Sequence, residues 1–123
     1  MTKTVLVVDD SLMVRRQVGG ALKGLGYTVV EAIDGVDALE KLQATPEAQL
    51  IVCDMNMPRM NGIEFLERLS AGKSGVPVVM LTTEGEPELI QRAKSLGAKG
   101  WLIKPFKPEF LAATAKKWAP LTA

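Results

Sequence analysis

Five times along the chain, a short β-branched apolar run is followed by a longer stretch whose apolar residues recur at helical spacing. The runs are Thr4–Val8, Thr28–Glu31, Leu50–Cys53, Val76–Leu81 and Trp101–Ile103. After the first, Val14, Val18, Leu22 and Leu25 mark one helix face, with Gly26 as a C′ stop. Gly19 and Gly20 interrupt it at roughly 1 kcal/mol each against Ala, and close packing on a sheet would explain them. A second helix follows Asp34, with Val36, Ala38, Leu39 and Leu42 inward. A third starts at Asn61, where Glu64 completes a capping-box pair and Ile63, Phe65, Leu66 and Leu69 form the inner face. A fourth begins at Pro87, turns Leu89, Ile90, Ala93 and Leu96 inward and stops at Gly97; a fifth begins near Pro108, followed by Phe110, Leu111, Thr114 and Ala115. Strands separated by helices pair in parallel through right-handed crossovers. Runs apolar on both faces fit a sheet covered by helices on both sides. The expected product is one doubly wound α/β domain of 123 residues, a length at which two domains would be cramped.

Ligands on such sheets bind beyond the carboxyl ends of the strands. Those ends carry Asp9 and Asp10 after the first strand, Asp54 after the third, Thr82 and Thr83 after the fourth, and Lys104 and Pro105 after the fifth. A parallel sheet gathers all of these on one edge. Each acid alone reads equally well as a polar residue opening a turn. Together, three neighbouring carboxylates repel, and one takes up a proton unless a cation is present. A hard divalent ion such as Mg²⁺ answers that, because it takes oxygen ligands and keeps positions for water or phosphate oxygens. Lys104 offers a point charge for a phosphoryl oxygen and Thr82 a hydroxyl donor. A carboxylate in such a setting can attack phosphorus and become an aspartyl phosphate.

Composition narrows the chemistry by what it lacks. There is no histidine, and Cys53 is the single cysteine. A Ser-His-Asp or Cys-His nucleophile, a Cys/His zinc site and an internal disulfide are therefore excluded within this chain. Acid–base work falls to carboxylates, a Lys104-type amine, Tyr27 or water. Apolar runs are far shorter than the ~18 residues of a membrane span, and the N-terminus lacks a signal-peptide pattern. A cytoplasmic location without membrane contact is expected.

Four stretches, VLVVDDS (Val5–Ser11), IVCDMNMPRMNG (Ile51–Gly62), VVMLTTEGE (Val78–Glu86) and GWLIKPF (Gly100–Phe106), then carry a resemblance. In this order and spacing the sequence resembles the receiver domain of bacterial two-component response regulators, most closely the single-domain chemotaxis type, over the whole chain. The resemblance implies a single receiver domain over residues 1–123. It also implies the flavodoxin-like strand order 2-1-3-4-5, of which chemotaxis regulators are a standard example. It implies that Asp54 is phosphorylated and that Asp9, Asp10, Asp54 and the backbone carbonyl of Asn56 hold Mg²⁺, with Mn²⁺ an acceptable substitute. Thr82 and Lys104 would contact the phosphoryl oxygens, and Thr82 and Trp101 would form the switch. Asn56 and Glu84 would tune dephosphorylation, and Lys104–Pro105 would be a cis bond. Catalysis would be confined to the protein's own phosphorylation and dephosphorylation. The donor would be a histidine kinase. Two residues depart from the family's usual pattern: Trp101 is larger than the usual Tyr or Phe, and Thr83 is β-branched where Ala, Gly or Ser is common.

Other readings stand beside these. Trp101 also reads as a packed aromatic, Trp118 as core or helix cover, Met55, Met57 and Met60 as loop filling, and Cys53 as an inert core residue. From Leu89 onward there are seven Lys/Arg against one acid, a net of +6, whereas residues up to Glu88 sum to −5. The basic part covers the fourth helix, fifth strand and fifth helix, the face by which the family binds output proteins or dimerises; a merely solvated basic face is the alternative. A monomer or weak phosphorylation-dependent dimer is expected. Nucleic-acid binding is a poor fit with one Tyr and two Trp for stacking. Alternatives for function are a phosphorelay intermediate feeding a histidine phosphotransfer protein, a phosphorylation-independent interaction module, and a flavodoxin-like electron carrier, whose FMN phosphate Asp9 and Asp10 would repel.

Overall fold

A computed structural model describes residues 3–72, 75–82, 87–104 and 107–121. Five strands, β1 (Thr4–Val8), β2 (Thr28–Ala32), β3 (Ala48–Asp54), β4 (Val78–Thr82) and β5 (Gly100–Ile103), alternate with five helices. The helices are α1 (Leu12–Gly24), α2 (Gly35–Ala44), α3 (Gly62–Ala71), α4 (Pro87–Ser95) and α5 (Pro108–Trp118). The sheet is wholly parallel, in the order β2-β1-β3-β4-β5. The expected fold and strand order are both present.

The two-residue period of the strands splits the core in two. Val5, Val7, Leu50, Val52, Val79 and Leu81 pack with α1 and α5 through Val18, Leu22, Leu111 and Ala115. Leu6, Val8, Ile51, Cys53, Val78 and Met80 pack with α2, α3 and α4 through Ala38, Phe65, Leu66, Leu69 and Ala93. Burial on both faces holds for the central strands β1, β3 and β4 but not for the edges. Most of β2 is half-buried or exposed, and Ile103 on β5 is exposed. Each edge strand has a neighbour on one side only, and fewer helices cover it.

The helix signals are realised by capping. Asp34 caps α2 by accepting the Asp37 N–H at 2.9 Å, and Asn61 and Glu64 form the expected reciprocal box on α3. Gly26 and Gly97, both with φ +102°, sit just past α1 and α4. Of the residues that follow Pro108 in α5, Leu111 and Ala115 are buried and Phe110 is exposed. The glycines inside α1 are not forced by packing. A Cβ on Gly19 would meet Val29 at an ordinary 3.5 Å, and one on Gly20 would meet nothing within 4 Å.

Gly62 is different. A Cβ there would lie 2.5 Å from the Asp54 carbonyl oxygen and 2.6 Å from Met80 Cε. The first residue of α3 thus rests directly on the end of β3. Gly62→Ala is expected to cost about 1–3 kcal/mol, as overpacking does. Gly20→Ala, in an exposed helix interior, is expected to stabilise by roughly 0.5–1 kcal/mol. Urea unfolding midpoints measure both, and a stabilising Gly62→Ala contradicts the close approach.

Candidate functional site

Register assembles the site. Val8 on β1 is opposite Cys53 on β3, so the next residues, Asp9 and Asp54, stand side by side where the strand order reverses. Thr82 on β4 is opposite Ile103 on β5, so Lys104 follows on the same edge, its N–H donating to the Thr82 carbonyl at 2.6 Å. Asp10, on the turn into α1, completes the group. One carboxylate oxygen from each of Asp9, Asp10 and Asp54 lies within 4.8 Å of the others.

Lys104 closes that group. Its Nζ donates to Asp9 Oδ2 at 3.0 Å and to Asp54 Oδ1 at 3.1 Å. Asp9 is fully buried and its Oδ1 also accepts the Ser11 N–H at 2.9 Å. Asp54 is 5 % exposed. Burial pushes the Asp54 carboxyl above the usual carboxylate range and the charge on Asp9 pushes the same way; Lys104 pulls down without cancelling them. For Lys104, burial works against the charged ammonium, but its bonds to Asp9 and the fields of Asp54 and Asp9 outweigh burial, and its pKa is raised. With all groups ionised, three carboxylates and one ammonium leave a local formal charge of −2. A hard divalent cation neutralises that charge and matches the all-oxygen donor set.

Two arginines brace the edge, and sequence reasoning did not single them out. Arg15 on α1 donates from Nη1 to the Asp9 carbonyl at 2.8 Å and from Nε to Glu31 Oε1 at 3.0 Å, fixing the β1–α1 turn against β2. Arg59, in the β3–α3 loop, donates from Nε to Asp34 Oδ2 at 2.6 Å and from Nη2 to Asp34 Oδ1 at 3.1 Å. Asp34 is buried, which opposes ionisation, yet Arg59 and the capped Asp37 N–H hold its pKa below the usual value. Arg15 sits one α1 turn past Ser11, a spacing readable in sequence. Arg59 gives no such signal, because its partner is 25 residues away.

The remaining candidates are placed as follows. Thr82 is buried at the end of β4. Asn56 is exposed on the loop after β3. Trp101 is not in the acidic group. It pairs with Met80 across the sheet, is half-buried against the core face shared with α4, and carries Lys94 Nζ 4.9 Å from its ring centroid. Glu84, Thr83 and Pro105 lie outside the described residues. Tyr27 belongs elsewhere: just before β2, at the opposite edge of the sheet, its hydroxyl donates to the Ala119 carbonyl at 2.7 Å. Cys53 is fully buried, and burial pushes its thiol well up. Trp118 is partly buried against the core, and Met55, Met57 and Met60 pack beneath the loop. The C-terminal basic charge is less uniform than its sum, because Lys104 turns into the site and Arg92 pairs with Glu67 of α3 at 3.0 Å. Among the described residues no helix is long and apolar enough to cross a membrane.

Comparison with known proteins agrees with this geometry. A family model, the response regulator receiver domain, matches residues 5–116. The chemotaxis protein CheY of Treponema pallidum is 43% identical over 103 residues, covering 82% of this chain and 72% of the relative. CheY1 of Helicobacter pylori strain J99 is 39% identical over 110 residues, covering 87% and 89%. Among solved structures, CheY4 of Vibrio cholerae superposes with a TM-score of 0.89 at 42% identity, covering 96% of this chain and 99% of that one. The CheY of Borrelia burgdorferi, solved with CheX, BeF3 and Mg²⁺, has a TM-score of 0.88 at 26% identity, covering 94% and 87%. The parallel sheet, the acid–lysine edge and these matches together make the chain a member of the response regulator receiver family.

Proposed function

We propose that this chain is a phosphorylation-switched receiver of chemotaxis signalling in the cytoplasm, and that it takes a phosphoryl group from a histidine kinase onto Asp54. The observation that carries the reading is the Lys104 ammonium between Asp9 and Asp54, with the Asp10 carboxylate within reach of both. Asp54 attacks phosphorus through a carboxylate oxygen. The new O–P bond forms as the P–N bond of phosphohistidine breaks, and the departing imidazole takes up a proton from water. Lys104 is placed to offset charge on a phosphoryl oxygen beside Asp54, and Thr82, at the end of the neighbouring strand, offers its hydroxyl to another. Receivers generally use Mg²⁺; Asp9, Asp10, Asp54 and the Asn56 carbonyl would hold it, and it would supply further neutralisation of the transferred group.

The switch in this reading runs from Thr82 through Trp101 to the face of α4, β5 and α5, which an output protein reads. Support comes from the strand pairing that places Met80 and Thr82 on β4 opposite Trp101 and Ile103 on β5. A phosphoryl group that draws the Thr82 hydroxyl inward vacates space beside β5. Asn56 and Glu84, two residues beyond Asp54 and Thr82, are assigned to the rate of hydrolysis.

Acetyl phosphate with Mg²⁺ is expected to add one phosphoryl group to the intact mass. A chelator or Asp54→Asn should abolish the addition; an adduct that survives in Asp54→Asn contradicts the assignment. Metal-free stability gives a second test. The folded pKa of Asp54 is raised, so its stabilising contribution is complete below the unfolded pKa of ~4 and is lost as pH rises through the folded value. Asp54→Asn should therefore raise Tm at neutral pH, with the gain shrinking toward about pH 4. A lower Tm at neutral pH would show that the Lys104 contact outweighs burial and repulsion. With Trp118→Phe, Trp101 is the sole emitting indole. Its fluorescence should change when a beryllofluoride phosphoryl mimic and Mg²⁺ are added, and an unchanged spectrum removes Trp101 from the switch.

A further inference from the structure

We infer that Arg59 and Asp34 form a positioning pair that holds the β3–α3 loop in the conformation the acidic site needs. Arg59 has φ +63°, and it is the one non-glycine residue with positive φ among those described. That left-handed conformation is unfavourable for an L-residue bearing a Cβ. The two-point fork to Asp34, at 2.6 and 3.1 Å, is what offsets it. A fork fixes orientation as well as distance, which a single contact would not.

The fork is well anchored. Asp34 is 2 % exposed and is itself fixed as the N-cap of α2. Beside it, the Gly35 N–H donates to the Met60 carbonyl at 3.1 Å. A Cβ on Gly35 would lie 2.6 Å from Met60 Cγ and 2.9 Å from the Met60 carbonyl oxygen, so loop and helix start are in close contact there. The two ends of the loop are tied to the site. Met55 N–H donates to the Leu81 carbonyl at 3.0 Å, and the Gly62 N–H donates to the Met55 carbonyl at 3.0 Å. Asn56 lies between these ends and the Arg59 fork. Releasing the fork lets Arg59 relax to negative φ and the loop sample other conformations. The main-chain oxygen at Asn56 is then in place for only a fraction of the time, and apparent cation affinity falls by that fraction.

This inference rests on reading Asp9, Asp10, Asp54 and the Asn56 carbonyl as the cation site. Its test is the Mg²⁺ affinity of the unphosphorylated chain by calorimetry, with thermal melts alongside. Arg59→Ala removes the fork and leaves a residue for which left-handed φ is as unfavourable as for Arg. Asp34→Asn removes the charge but keeps a good N-cap. Arg59→Lys keeps the charge but not the fork. Each is expected to weaken Mg²⁺ binding by about tenfold, as loss of a supporting contact does. The Arg59→Ala/Asp34→Asn double variant should be no weaker than either single one. Wild-type affinity in Arg59→Ala and Asp34→Asn, with only Tm lowered, would reduce the pair to a purely structural contact and overturn the inference. Additive losses, or full affinity in Arg59→Lys, would overturn the two-point fork as its basis. Absence of Mg²⁺ binding in the wild-type chain would instead overturn the underlying reading of the site.

Discussion

Everything at the functional edge depends on keeping two acids, Asp9 and Asp54, side by side in a largely buried place. Like charges at that separation oppose each other, and burial opposes each of them singly. Lys104 is the protein's own answer, an ammonium shared between the two carboxylates. It is a partial answer, since Asp54 still titrates above the ordinary range and the group with Asp10 carries formal excess negative charge. A site in this state favours binding a divalent cation and a group rich in oxygen. The energy that holds it in place comes from elsewhere in the fold, from three central strands packed on both faces.

The supporting structure explains why the acids do not splay apart. Strand register places them, and the turns that follow are tied down one by one. Arg15 holds the carbonyl of Asp9 against β2, Ser11 satisfies the Asp9 carboxylate, and Gly62 allows α3 to start against the Asp54 carbonyl. Arg59 ties the following loop to the cap of α2. Both arginines reach toward β2 or its exit, so the edge strand, although only partly buried, is the abutment for both loops. The sheet therefore positions charge through backbone pairing, and the loops hold that position through charged side chains.

The alternation of strand and helix was legible in sequence because period and β-branching agree with burial on β1, β3 and β4. Caps at Asp34 and Asn61 were legible because their partners lie three residues away. The acid–lysine group was legible because a parallel sheet brings strand ends together whatever the loop lengths. Contacts between distant polar groups were not. Nothing local in the sequence indicates that Arg59 takes positive φ, that Arg92 is spent on Glu67, or that Lys94 lies over Trp101. Edge effects were also hidden, since Ile103 and Phe110 have core-like chemistry and stand exposed. The summed C-terminal charge overstated the basic face for the same reason: a sum does not show which cations turn inward or pair.

The central claim is that all three carboxylates serve the cation and that Asp54 alone is the nucleophile. Borohydride reduction of the acyl phosphate, followed by peptide mapping, tests it most directly, because only a carboxyl joined to phosphate as a mixed anhydride is reduced. After treatment with acetyl phosphate and Mg²⁺, the reduced residue is expected at position 54 alone. Reduction at position 9 or 10, or at none of the three while the chain carries phosphate, would contradict the account.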